Sequence, residues 1–138
     1  MDNLPSVSVI EVAIALVWRQ GCLLITRRPN ETHLGGLWEF PGGKCQPGEA
    51  PEACAEREVL EEVGVACRAT GRRTAIQFTY PERTVRLHPI DCDYQGGGPR
   101  PIQVTEWAWA RPEDLADYEF PPANAGLIRE LSAGPAPR

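Results

Sequence analysis

Lysine is almost missing from this chain. Of 14 basic residues among 138, Lys44 alone is not an arginine. There is no run of basic residues, and the net charge is −5. A protein that grips a nucleic-acid backbone needs a basic face to neutralise phosphates, so no nucleic-acid partner is expected. No apolar run approaches the ~20 residues of a membrane span, so no membrane partner is expected either. Residues 1–5 are polar, and the apolar stretch after them is interrupted by Glu11, which does not read as a secretory leader. The five cysteines (Cys22, Cys45, Cys54, Cys67 and Cys92) are odd in number, widely spaced and without a CxxC pair. That pattern suggests neither a disulfide framework nor a zinc site. Reduced thiols in a cytoplasmic protein are the expectation.

What remains is an ordinary globular composition, 42% apolar and 24% charged, in a length that suits one compact domain over residues 1–138. Residues 6–18 and 22–26 read as strands joined by the turn Arg19-Gln20-Gly21. Residues 27–36 form a loop, and 37–40 a short extended piece before the turn Pro41-Gly42-Gly43. Residues 50–63 are the clearest helix: Pro51 suits its first turn, Glu49 and Glu52 suit its positive end, and Gly64 is placed to stop it. Residues 67–80 and 84–94 read as strands around Pro81-Glu82-Arg83, residues 95–101 as a Gly/Pro loop and 103–110 as a last strand. Residues 111–115 look like a short helical turn, 122–131 a second helix, and 132–138 a frayed tail. There is no internal repeat and no dividing linker. The order predicts an α+β fold, a central mixed β-sheet flanked by helices.

The helix carries the chemistry. At 100° per residue, Glu58, Glu61 and Glu62 fall within a single arc of about 100°. Ala55, Val59 and Val63 form the adjoining apolar stripe, and Glu56 projects near that stripe without an evident reason. Carboxylates so placed repel one another by about 0.2–0.5 kcal/mol per pair even when solvated. A solvated acidic face is one reading. A divalent cation that turns the repulsion into binding is the other, since hard ions such as Mg²⁺ take carboxylate and carbonyl oxygens and share them with substrate phosphates. The segment Phe40-Pro41-Gly42-Gly43-Lys44 ahead of the helix favours the second, because glycines allow close backbone approach to a ligand.

Residues 43–65 resemble the signature of the Nudix hydrolases. Gly43, Glu49, Arg57-Glu58, Val59, Glu61-Glu62, Gly64 and Val65 match every position that signature specifies. Thr26-Arg27-Arg28, His33, the stretch from Trp38 to Lys44, and Phe120-Pro121-Pro122-Ala123-Asn124 are similar to the MutT branch, so the resemblance spans nearly the whole chain. It implies an α/β/α sandwich and an enzyme that hydrolyses a nucleoside triphosphate. 8-oxo-dGTP would be cut at the β-phosphorus to 8-oxo-dGMP and pyrophosphate, a nucleotide-pool sanitation role that supports DNA repair. It implies Mg²⁺, with Mn²⁺ as a substitute, held by the Gly42 carbonyl, Glu58 and Glu62. Glu61 would contribute to the catalytic acids and Arg57 would orient them. Substrate contacts would come from Arg28, His33, Glu39, Phe40, Pro41, Gly42, Lys44 and Glu82, with Asn124 reading the base through an amide that both donates and accepts. The partner is a small nucleotide, and a monomer is expected, with a dimer open.

One position departs from the branch. Relatives often carry a glutamate in the loop before the last strand, where this chain has Pro101. The nearest acids are Glu106 and, in another loop, Glu82. Two other readings stand beside the main one: a Nudix hydrolase for another nucleoside diphosphate derivative, and a nucleotide-sensing module without catalysis. The full set of acids argues against the latter.

Overall fold

The computed structural model describes residues 8–32 and 34–134. Eight strands and two α-helices follow in the order β1 (Val9–Arg19), β2 (Cys22–Arg27), β3 (Trp38–Glu39), β4 (Gly42–Lys44), α1 (Pro51–Val63), β5 (Ala66–Arg72), β6 (Ile76–Thr79), β7 (Thr84–Gly96), β8 (Glu106–Ala110) and α2 (Ala125–Ala133). Short 3₁₀ turns at Pro112–Asp117 and Pro122–Asn124 precede α2. The result is the expected α+β sandwich: a mixed sheet with a helix on each face.

β1 is the hub. It runs parallel to β7 from Val9 to Trp18, and its other edge is shared by two antiparallel partners, β4 at Val12–Ile14 and β2 at Trp18–Arg19. A strand covered on both faces is apolar nearly throughout, which is why β1 reads as a continuous run. Its side chains alternate. Ala13, Ala15 and Val17 pack with Val59 and Val63 of α1, whereas Ile14, Leu16 and Trp18 pack with Leu127 and Leu131 of α2. The β1–β2 turn forms as its sequence suggested: Gln20 and Gly21 both take positive φ, 51° and 80°, the twist a two-residue hairpin prefers.

Several boundaries differ from the sequence reading. Gly42-Gly43 is not a turn but a strand against β1. A Cβ at Gly42 would lie 2.1 Å from the Ala13 carbonyl oxygen, so only glycine lets the two backbones meet here. The stretch 67–80 is two strands rather than one. The Arg73 N–H donates to the Pro89 carbonyl, and its guanidinium reaches Asp91 of β7 and Glu130 of α2, both at 3.1 Å. These long-range contacts turn the chain between β5 and β6. The last strand starts at Glu106, because residues 102 and 103 spend their N–H groups on the Glu62 carbonyl. The second helix opens as a 3₁₀ turn and becomes α-helical only after Asn124. Glu56, unexplained before, accepts the Ala69 N–H at 2.7 Å and ties α1 to β5. All five cysteines are free. Among the described residues no helix is long and apolar enough to cross a membrane.

Leu16 is fully buried in the α2-side core. Leu16→Ala should cost about 2–5 kcal/mol, as large-to-small changes in closed cores do. The shift of the urea unfolding midpoint measures it, and a loss well under that range would mean the α2 face can collapse around the gap.

Candidate active site

The site is assembled at the N-terminal half of β1, where β4 brings the glycine pair against α1. Gly43 faces Glu58 so closely that a Cβ would come within 2.6–2.7 Å of the carboxylate. The absence of a side chain at residue 43 is therefore what makes room for that acid. Helix α1 is held in register by its ends. Gly64, with φ of 72°, stops it and returns its N–H to the Leu60 carbonyl.

Arg57 lies at the centre of the cluster. Its guanidinium donates to Glu49 (2.8 and 2.9 Å), Glu58 (3.0 Å), Glu61 (3.2 Å) and the Lys44 carbonyl (3.2 Å). Planar, permanently charged and rich in donors, it can join several carboxylates at fixed angles. Its hydrogen bonds, first, and the Gln46 N–H hold Glu49 down at about 2, and Glu49 in turn raises Arg57. Glu61 is the most exposed of these acids and points outward.

Glu62 is in the opposite condition. Only 7% exposed, it is pushed up to about 9 by burial first, then by Glu39 and Glu58, with the Gly42 backbone amide pulling the other way. Glu39 is raised by burial too, although it pairs with Arg28 at 3.0 Å. Three carboxylates thus crowd one wall with too little positive charge. Among the described residues no three acid, His or Cys groups close around a common point. The donor set nonetheless fits a divalent cation: hard oxygens, a like-charge surplus, and a buried acid that its carboxylate neighbours push up. The Gly42 backbone amide also acts on Glu62.

A cleft of about 410 Å³ runs from Glu39 and the Gly42–Gly43 strand to the start of α2, and through Arg28, Glu39 and Gly42 it adjoins a polar pocket that Glu62 lines. Arg28, Glu39, Gly42 and Lys44 line its charged end; Phe40, Ala123 and Asn124 lie at the other. Phe40 is 2% exposed and also packs on Phe120, with ring centroids 5.2 Å apart, so it serves core and cleft together. Asn124 is 8% exposed, and its side-chain amide makes no hydrogen bond among the described residues. Pro41 is buried beneath the cleft, its carbonyl accepting the Ala15 N–H at 2.8 Å. Glu82 is exposed at the tip of the β6–β7 turn and does not line the cleft. His33 lies outside the described residues. Sequence reasoning passed over Leu34, Phe78 and Tyr80, which build the cleft's apolar wall. The alternation Ile76, Phe78, Tyr80 was the signal for two of them. A second hollow of about 460 Å³ lies on the other side of β4, beside the Glu11–His88 pair, and is lined by Lys44 and Glu49.

The sequence profile of the NUDIX domain family matches residues 13–130, and the chain belongs to that family. It is a MutT-type Nudix hydrolase, an enzyme acting on phosphoanhydride bonds. It is 30% identical to the CTP pyrophosphohydrolase of Escherichia coli K12, covering 91% of this chain and 93% of that one. It is 36% identical to a putative 8-oxo-dGTP diphosphatase 2 of Mycobacterium tuberculosis, covering 89% and 87%. The solution structure of the E. coli ORF135 protein superposes with a TM-score of 0.82 at 30% identity, over 96% of this chain and 94% of that one.

The raised Glu62 has a measurable consequence. A carboxyl at about 9 when folded against 4.5 when free keeps its proton only in the folded chain between those values. Its contribution is whole below about pH 4.5 and is lost as pH climbs toward 9. In the presence of a chelator, the urea midpoint should fall over that window, and Glu62→Gln, which cannot ionise, should flatten the fall. Parallel pH profiles for the two proteins would refute the assignment.

Proposed function

We propose that the chain is a Mg²⁺-dependent pyrophosphohydrolase of nucleoside triphosphates that releases the nucleoside monophosphate and pyrophosphate, with 8-oxo-dGTP as its preferred substrate. The observation that carries this reading is the cleft itself. Glu39, Arg28 and Lys44 line one end, which adjoins the polar pocket of Glu62 through Arg28, Glu39 and Gly42, and Asn124, a buried amide with no hydrogen bond among the described residues, stands among apolar side chains at the other. A base slotted between such walls is read by whatever polar group is left without a partner, and Asn124 offers donors and an acceptor to a purine edge.

The residues divide the work. When bound, the cation neutralises phosphate charge and lowers the pKa of the attacking water. Glu58 and Glu62 would hold it with the Gly42 carbonyl, and Glu62 must give up its proton to do so. Arg57 keeps Glu58 and Glu61 from rotating away. Arg28 and Lys44 meet phosphate oxygens, Arg28 with its orientation set by Glu39. Phe40 and Pro41 shape the floor beneath the base. Glu82 stands exposed at the turn tip, off the cleft wall, and would contact only a part of the substrate that projects beyond it.

A pyrimidine nucleotide is the second reading. The 30% identity to a CTP pyrophosphohydrolase supports it, as does Glu82 lying off the cleft.

Glu62→Gln should lower turnover at saturating Mg²⁺ by about 100-fold or more, the scale on which a principal electrostatic group is lost; activity within a few-fold of the parent would remove Glu62 from the metal set. A panel of 8-oxo-dGTP, dGTP, CTP and ADP-ribose, with pyrophosphate and phosphate resolved, separates the two substrate readings. Asn124→Ala should reduce the preference for 8-oxo-dGTP over dGTP about tenfold, the worth of one hydrogen bond. An unchanged preference would exclude Asn124 as the reader.

A further inference from the structure

The loop between β7 and β8 closes the acid pocket, and the way it is fastened singles out one residue. The Arg100 N–H donates to the Val63 carbonyl at 2.9 Å, and the N–H groups of Ile102 and Gln103 both donate to the Glu62 carbonyl, at 3.1 and 3.0 Å. A helix leaves its last carbonyls without internal partners, and this loop supplies them. The loop is thus set on the same residue whose carboxylate is buried in the cluster. On its other side Val104, 8% exposed, is sunk in the α1-side core. Between these two anchors Gln103 lines a polar pocket of about 180 Å³ together with Arg28, Glu39, Gly42 and Glu62. Its side-chain amide makes no hydrogen bond among the described residues. No acid takes that place: residue 101 is proline, and Glu106 is engaged with Arg27 at 3.0 Å.

We propose that Gln103 orients the polyphosphate, its side-chain N–H groups donating to a non-bridging oxygen of the chain that lies along Glu39 and Glu62. This rests on the nucleoside triphosphate reading above. The electrostatics favour an amide here. The cluster already holds three carboxylates, and a fourth would repel both the cluster and the phosphates. A glutamine brings two donors and no charge. It has no basicity with which to take a proton from water, so its contribution is one of position, realised when the reacting phosphorus is aligned.

The test uses the full chain and three variants, Gln103→Ala, Gln103→Asn and Gln103→Glu. Because Gln103 is exposed and the loop is fastened through backbone groups, all three should melt like the parent. One readout is the split of kcat and KM on 8-oxo-dGTP and CTP. The other is calorimetric binding of imidodiphosphate, a non-hydrolysable probe, in Mg²⁺. Gln103→Ala should lower kcat about tenfold, raise KM several-fold and weaken imidodiphosphate by the same several-fold factor, as loss of one donor to a charged oxygen that also aligns the chain predicts. Gln103→Glu should be worse than Gln103→Ala in both, and Gln103→Asn should recover part of the loss. Alanine behaving as the parent in both readouts would overturn the proposal. So would a glutamate variant as active as the parent, since the position would then call for an acid. If the parent cleaves none of the triphosphates, the substrate reading fails, while imidodiphosphate binding still decides for or against Gln103.

Discussion

The Arg57 guanidinium holds the site together. It touches both the loop before α1, through the Lys44 carbonyl and Glu49, and the helix face, through Glu58 and Glu61. Without it, the acids on α1 would spread into solvent to relieve their repulsion, and the loop would lose its fastening. With it, the loop and helix form one rigid piece. The arrangement leaves one carboxylate, Glu62, outside its reach, buried and short of positive charge. The cluster is therefore divided into a neutralised half that gives shape and an unneutralised half that attracts a cation. Burying an unpaired charge is costly enough that such a group either keeps a proton or acquires a counter-ion.

The sheet explains where the cleft lies. β1 offers one edge to two partners, β4 near its start and β2 near its end, so the strands on that edge diverge. β7 does the same with β6 and β5. Two divergences facing the same way open a gap on the α2 side of the sheet. The 3₁₀ turn at Pro122–Asn124 closes one end of that gap. Two unrelated constraints thus meet in one hollow: backbone pairing sets its width, and a proline-led turn sets its polar group.

Much of this was legible in the sequence, and what was not shares a physical cause. Helix α1 and its acids could be read because periodicity, the Pro51 start and the Gly64 stop are local. The β1–β2 hairpin was equally local. β4 was hidden because Gly42-Gly43 has the composition of a turn, and only the nearness of the Ala13 carbonyl, far earlier in the chain, makes glycine the price of a strand. The break after Arg72 was hidden for a similar reason, since Asp91 and Glu130 cause it from far away. Glu56 looked misplaced on its helix until Ala69 supplied its partner. Within the site, Arg57 and Glu58 could be placed from spacing and family resemblance. The acid surplus at Glu39 and Glu62 could not, because burial decides it and spacing does not reveal burial.

Lys44 is exposed at the mouth of the cleft and is the chain's only lysine. Reactive esters and aldehydes that modify primary amines have, apart from the chain terminus, a single address on this protein. A dye or cross-linker carried there would sit beside the Arg57 acid cluster without any engineered residue. The arginine-rich composition thus leaves the molecule with a built-in, singly addressable handle at the entrance to its own cleft.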